Sequence, residues 1–471
     1  MHRTELDGVT VSWQDVSEDV HASLVFGVGT RDEGVDRIGL NHLVQLLVLD
    51  EISSEADQHT TFVDTAFTAS GTPGEVAAHL AECCAVLADL PLDRLDEIAA
   101  QADPGDLVVS LGLELGDSCR DPWGSLLARR LGTAGAGVAR WPAVPYAAFT
   151  ADEVRAHAAR FFHAGNAALG LSRAPWPGLE IPLPPGPRPD HDAVAARTAG
   201  WYHDEVVAPG IAVTAAAGPL AMLVLGVLRI RVNDALDEAG FDCWTNEWST
   251  PVSASTLEIG LGVHYSGKGR TRDSALAAAI LWEQLRGIAT TPPTPDELDE
   301  AIDWMAAEDG IGLLPIEAKA SLLSPSDEFG ADDIAAARGL TPHDVSGAAA
   351  SWLGSALVVV PTGTEVDLAG LARIGCPVGT FAPQGKVLKP SLWRKLRRGD
   401  DEHLVLADDA IHHVRDGAVH STPFSDAILV EHGTEVLLGN VRHGCLTDVT
   451  AFGAAKTIGV RLPDRRWRIT R

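Results

Sequence analysis

The chain has 471 residues, enough for about three domains of ordinary size, and 46% of them are hydrophobic against 21% charged. That balance describes a well-cored globular protein and excludes a disordered one. A formal net charge of −29 argues against nucleic acid as a partner and suits a basic peptide or protein.

The opening residues, MHRTELDGVTVSW, carry no apolar core of a signal peptide and go directly into strand-like alternation. SLVFGVGTRDEG then leads into IGLNHLVQLL, which reads as the first turns of a helix. Between Thr61 and Glu97 a period-two strand passes through Ser-Gly into an amphipathic helix, then through a Pro turn into Leu-Asp-Glu. GTAGAGVARW, Gly132 to Trp141, has no apolar strand leading into it and reads as a flexible loop. FTADEVRAHAARFFHAGNAALGL opens with Thr150 three residues before Glu153, which is capping-box spacing, and runs from helix into strand.

Residues 173–190, RAPWPGLEIPLPPGPRPD, are proline-rich and read as an extended, semi-stiff tether. This divides the chain into a first half (1–174), a linker (175–192) and a second half (193–385). The longest apolar run, Ile211 to Ile230, is broken at Gly218-Pro219, so it reads as a buried strand feeding a buried helix and not as a membrane span. Thr256 to Glu300 then repeats the pattern of Thr61 to Glu97, and LTPHDVSGAAASWL repeats the capped helix with Thr341 and Asp344. Ser70 matches Ser266, Leu95 matches Leu298 and Thr150 matches Thr341, at offsets between 191 and 203 residues. Three matches at nearly one offset describe two homologous α+β halves.

From Lys386 onward the text changes to short strands separated by turn pairs such as Asp416-Gly417, with a helix expected around Asp448 to Val460. This segment, 386–471, has 14 Lys and Arg against 11 Asp and Glu. It resembles a small, mostly-β, pleckstrin-homology-like module. Its basic stretches, WRKLRRG (393–399) and RRWRITR (465–471), read as covering a seam with the acidic halves; an anionic membrane surface or an acidic partner is the other reading. The six cysteines lack C-x-x-C spacing, which predicts reduced, buried thiols in a cytoplasmic protein.

Two α+β halves joined by a linker, with H-x-x-Q on the helix after SLVFGVGTRDEG, resemble the pitrilysin/insulinase (inverzincin) metallopeptidases, a group that includes the mitochondrial processing peptidases. TPDELDEAI and FTADEVRAHAARFFHAGNAALGL resemble further family segments, and the likeness runs from about Val9 to Val366. The resemblance implies sandwich-like halves that close like a clam shell around a peptide. It also implies two His ligands and a glutamate base on one helix, a later glutamate as third ligand, and an Arg and a Tyr that hold substrate.

Carried over position by position, most of that site is missing. His42 matches the first histidine. Gln45 stands at the general-base position, where an uncharged amide cannot take a proton from a metal-bound water. Leu46 replaces the second histidine, and Glu97 is the nearest carboxylate to the third-ligand position. In ALDEAGFDCWTN, Asp237 and Cys243 stand at the Arg and Tyr positions. Other histidines near possible ligands are His59 with Asp57, His203, and the pair His412-His413, whose side chains would point to opposite faces of a strand. There is no G-x-S-x-G elbow, phosphate loop or dinucleotide fingerprint.

The expectation is therefore a catalytically inactive peptidase-like subunit with no metal cofactor. It would bind peptide, possibly basic, by strand addition, and pair with itself or with a catalytic homologue to complete a processing chamber. Two alternatives remain: an active zinc endopeptidase with a rearranged site, and a stand-alone binding scaffold.

Overall fold

The computed structural model describes residues 1–52, 58–102, 118–189, 199–253, 255–266, 273–306, 310–323, 330–390, 402–432, 435–462 and 468–470. Six strands form the first sheet: β1 (His2–Leu6), β2 (Val9–Trp13), β3 (Val20–Phe26), β4 (Gln58–Thr60), β5 (Thr65–Gly71) and β6 (Ala167–Leu171), in the order β1-β2-β6-β3-β5-β4. The second sheet holds β7 (Gly200–Asp204), β8 (Gly210–Ala216), β9 (Cys243–Ser253), β10 (Thr256–Tyr265) and β11 (Leu357–Pro361), in the order β7-β11-β8-β10-β9. Each has one parallel pair, β2 with β6 and β7 with β11, followed by three antiparallel pairings. Laying β2 to β6 onto β7 to β11 in chain order reproduces the second sheet strand for strand, and only β1 has no counterpart. The duplication read from the sequence is thus present in the topology.

The helices repeat in the same way. The first half carries α1 (Leu40–Glu51), α2 (Pro73–Ala88), α3 (Leu95–Gln101), α4 (Pro122–Leu131) and α5 (Ala151–Phe161). The second carries α6 (Pro219–Glu238), α7 (Ser274–Thr290), α8 (Pro295–Met305), α9 (Leu313–Leu322), α10 (Ala331–Ala337) and α11 (Pro342–Trp352). At the starts of α5 and α11, Thr150 and Thr341 each accept from the N–H three residues on at 3.3 Å, while Glu153 and Asp344 accept from the threonine N–H in return. Each such cap is worth about 1 kcal/mol. The apolar run Ile211 to Ile230 is β8 followed by α6, with Pro219 at the first helical position. Among the described residues no helix is long and apolar enough to cross a membrane.

Two cores lie on the outer faces of the sheets. One joins Leu24, Phe67 and Leu169 to Leu43 of α1 and Leu80 of α2; the other joins Ile211, Ile259 and Val358 to α6, α7, α8 and α11. The inner faces are built by exchange. Helix α4 of the first half packs on β8, β10 and β11, and α9 of the second half packs on β2, β3 and β6. One apolar cluster then runs from Val25 and Ala168 of the first sheet through Trp123, Leu126 and Ala318 to Ala212 and Val359 of the second. Ion pairs cross the same seam: Lys319 to Asp64 at 3.0 Å, Arg130 to Glu258, and Arg140 to Asp204 at 2.5 Å. Buried pairs of this kind add little net stability, but separating their partners is costly. The implied clam shell therefore needs correcting: among the described residues the two sheets are joined through the exchanged helices and this cluster, and the space left between the halves is a cleft of about 350 Å³ bounded by β3, β5 and the start of α9.

Three other expectations change. GTAGAGVARW is not a flexible loop; residues Gly135–Arg140 form a 3₁₀ turn buried in the seam, with Arg140 fully enclosed. Glycine permits this packing, since a Cβ on Gly124 would lie 2.9 Å from the Arg140 Cα. The proline-rich stretch is extended as expected but is no free tether. Leu179, Ile181 and Leu183, spaced by two, are buried on the first core, and the Ile181 N–H donates to Asp7 Oδ2 at 2.9 Å.

The C-terminal module is a pair of sheets around a small core, and its closing helix is shorter than expected. Strands β12 (Val378–Gly379), β13 (Lys386–Leu388), β14 (Glu402–Leu406), β15 (Ala410–Arg415) and β16 (Ala418–Pro423) form one sheet; β17 (Ala427–His432), β18 (Glu435–Asn440), β19 (Cys445–Asp448) and β20 (Arg468–Thr470) form the other. Leu404, Ile411, Leu429 and Leu438 meet Ile458 of α12 (Ala455–Gly459) between them. The module joins the seam cluster through Ile428, Val430 and Leu446. The stretch 393–399 and residues 465–467 and 471 lie outside the described residues, as does Asp57.

Candidate functional site

Helix α1 is set by the turn before it. Gly39 has φ +101°, and a Cβ there would lie 2.6 Å from the Tyr146 ring, so both conformation and space call for glycine. The buried Glu33 carboxylate accepts from the Gly39 N–H at 2.9 Å and the Asn41 N–H at 2.5 Å, capping the helix. Burial pushes Glu33 up to about 8, against the opposing pull of those two N–H groups. Asn41 ties the same turn to Thr65 of β5, and His157 of α5 donates to its Oδ1 at 3.3 Å.

Every polar group expected at the motif is engaged in packing. His42 is 6% exposed, its Nδ1 lies 2.5 Å from the Tyr146 hydroxyl, and burial lowers its pKa to about 4. Gln45 is buried and accepts from the Thr60 hydroxyl at 2.7 Å. Leu46 packs against the first core. Glu97 sits on the surface of α3, 3.5 Å from Arg94, whose guanidinium also meets Asp50 and Glu51. Glu97 is therefore placed beside the C-terminal end of α1, while His42 is in its first turn.

The second-half positions fall around α6 and β9. Asp237 is exposed near the end of α6, and Cys243 opens β9, half-buried against the second core. Burial raises the Cys243 thiol, with Asp237 and Asp242 adding to the effect. The other histidines are separately held. His59 meets Asp64 at 3.4 Å, and His203 meets Thr364 O at 2.6 Å and receives a hydrogen bond from Arg373 at 3.1 Å. His412 and His413 part as strand neighbours should, to Ser421 Oγ and Glu402 Oε1, each at 2.8 Å.

A constellation absent from the sequence reading lies where the module meets the second half. Cys376, His420 and Cys445 bring one donor atom each to within 4.8 Å of one another, the one such group of three among the described residues. They border a cleft of about 520 Å³ whose walls include His203, Asp204, Arg373 and His413. The Cys376 thiol is drawn down to about 5 by its hydrogen bond with Cys445, assisted by His420 and Arg129, and Cys445 is raised in turn. The cysteines therefore do not all read as isolated core thiols. Their spacings of 44 and 25 residues match no short motif, so only the fold brings them together.

Duplicated five-strand sheets with exchanged helices, and a motif helix after the third strand, define an M16 peptidase-like fold. The chain superposes on the peptidase M16 inactive domain from Pseudomonas fluorescens at TM-score 0.57 and 14% identity, covering 79% of this chain and 99% of that one. A protease from Helicobacter pylori matches at 0.58 and 11%, over 77% and 99%. A chain of complex III2 from Candida albicans, Inz-5 bound, matches at 0.56 and 13%, over 76% and 94%. No family model and no curated protein matches the sequence.

Proposed function

We propose that the chain is a catalytically inactive peptidase-like subunit that binds extended, basic peptide and pairs with a catalytic zinc-peptidase homologue, or with itself, to complete a processing chamber. The observation carrying this reading is the state of α1. With His42 held at Tyr146, Gln45 at Thr60 and Leu46 in the core, the helix offers one nitrogen where a catalytic zinc takes three protein ligands. The seam supports the need for a second chain, since the exchanged helices fill most of the space between the two sheets and leave a cleft of only about 350 Å³ between β3, β5 and the start of α9. Similarity to an inactive M16 domain and to a chain of a multi-subunit complex supports it too. Sheet edges can bind a peptide main chain without any metal, and the acidic balance of the halves favours Lys- and Arg-rich sequences. A cytoplasmic setting is part of the proposal, supported by the cysteines, which are free thiols in the structure.

The test is to assay the purified chain with labelled basic peptides, alone and mixed with a homologue that carries an intact H-x-x-E-H helix. Salt-sensitive binding, no cleavage by the chain alone, and cleavage by the mixed complex are the expected results. Cleavage by the chain alone that His42→Ala abolishes would overturn the proposal and restore the rearranged-site alternative.

A further inference from the structure

We propose that Cys376, His420 and Cys445 form a zinc-class metal site that fastens the C-terminal module to the seam, with one coordination position open to the adjoining cleft. The site stands apart from α1 and does not depend on the peptide-binding reading. Its donors are soft: two sulfurs and an imidazole nitrogen select zinc or a similar ion over magnesium or calcium. Cys445 Sγ lies 3.5 Å from His420 Nε2, matching the ~3.5 Å edge of a tetrahedron with zinc–sulfur and zinc–nitrogen bonds of about 2.3 and 2.0 Å.

Backbone pairing holds the three donors in place. Val378, two residues past Cys376, pairs with His420 across β12 and β16, and His413 pairs with His420 from β15. Cys445 opens β19 opposite Asn440, and the next N–H, that of Leu446, donates to the buried Asp204 at 3.2 Å. Outside the donors, Arg129 approaches Cys376 Sγ at 3.4 Å and also bonds the Gly375 carbonyl, the kind of support that orients a thiolate ligand.

Among the described residues no fourth ligand joins the three, and the groups nearest the cleft are already committed: His203 to Thr364 and Arg373, His413 to Glu402, and Asp204 to Arg140, Ser125 and the Leu446 N–H. Three protein ligands facing a cleft leave room for water or a small anion on the ion. The ion would join the segment leaving the second half to β16 and β19 of the module, so binding would stabilise their docking by mass action.

The full chain, stripped of metal and kept anaerobic, would be titrated with Co²⁺. The expected result is a set of visible tetrahedral cobalt bands with a near-ultraviolet thiolate charge-transfer band, saturating at one ion per chain and bleached by Zn²⁺. Cys376→Ser and Cys445→Ser should lose the charge-transfer signal, while Cys83→Ala, which removes the Cys83–His79 pair elsewhere, should retain it. Zinc-edge X-ray absorption of the unmutated chain should show two sulfur neighbours, a readout that survives if a variant fails to fold. No charge-transfer band, no sulfur neighbours, or a Cys376–Cys445 disulfide in the anaerobic protein would each overturn the site.

Discussion

Replacing Arg130 by Met tests whether the helix exchange holds the halves together. Arg130 of α4 and Glu258 of β10 are both fully buried. The Arg130 Nε donates to Glu258 Oε1 at 2.7 Å, its NH2 donates to Ser355 O at 2.9 Å, and Thr214 donates to the other carboxylate oxygen at 2.9 Å. Removing one partner of such a pair leaves a carboxylate with a single donor in an apolar seam, a loss of about 3–5 kcal/mol. Removing both charges, as in Arg130→Met with Glu258→Gln, should recover about 2 kcal/mol of that. The deficit of Arg130→Met also has a pH sign. Burial already raises Glu258, and without Arg130 it rises further above its unfolded value of 4.5. The folded state then holds a proton that the unfolded chain releases, so the deficit is small below pH 4.5 and grows as pH rises toward the folded pKa. Urea unfolding would be followed by fluorescence, to which the buried Trp123 of α4 contributes, and by circular dichroism, so that loss of the seam is distinguished from unfolding of one half. A loss under about 1 kcal/mol for Arg130→Met, or a double variant as weak as the sum of its singles, would refute the reasoning.

Two further outcomes are expected. Burial holds His42 and His157 at about 4 against 6.5 in the unfolded chain, so each contributes stability above pH 6.5 that is lost as pH falls toward 4, about 3 kcal/mol apiece. His42→Gln, which can still bond Tyr146, should flatten the fall in urea midpoint between pH 6.5 and 4.5; an unchanged slope would mean His42 is not buried neutral. Gly439→Ala places a Cβ 2.4 Å from the Trp141 ring and should cost about 1–3 kcal/mol, with the module cleaved faster in limited proteolysis and the halves unaffected.

What was legible in the sequence was what local pattern encodes. The duplication showed in Thr150 and Thr341 because a capping box is written within four residues, and in the Ser-Gly exits because strand and helix periods change there. The run Ile211 to Ile230 was readable because Gly218-Pro219 punctuates it. What was missed depends on residues far apart. Arg140 looks like a loop residue until Asp204 is brought against it, and the glycines around it read as flexibility when they serve close approach. The burial of Leu179, Ile181 and Leu183 had a local signal, period-two alternation, that the prolines between them obscured. Cys376, His420 and Cys445 had none, because three segments of the chain must fold before their donors meet.

The exchange of α4 and α9 also limits where a peptide could bind. With the inner sheet faces under the exchanged helices α4 and α9 and the outer faces under the other helices, main-chain pairing is left to the sheet edges. At the ends of the two sheets, β4 has three residues, β1 and β7 have five each, and β9 has eleven. The second half of β9 is buried against the seam, so under the proposed function it is the open first half, Cys243 to Glu247, that an extended peptide would pair with. Its first residues carry Cys243 beside Asp237 and the exposed Trp244, which stacks on His264 of β10. An acidic group next to an aromatic face attracts a Lys or Arg side chain through both charge and ring. Under the proposed function, the positions where the resemblance places a substrate-gripping Arg and Tyr would then hold a basic residue of the bound peptide.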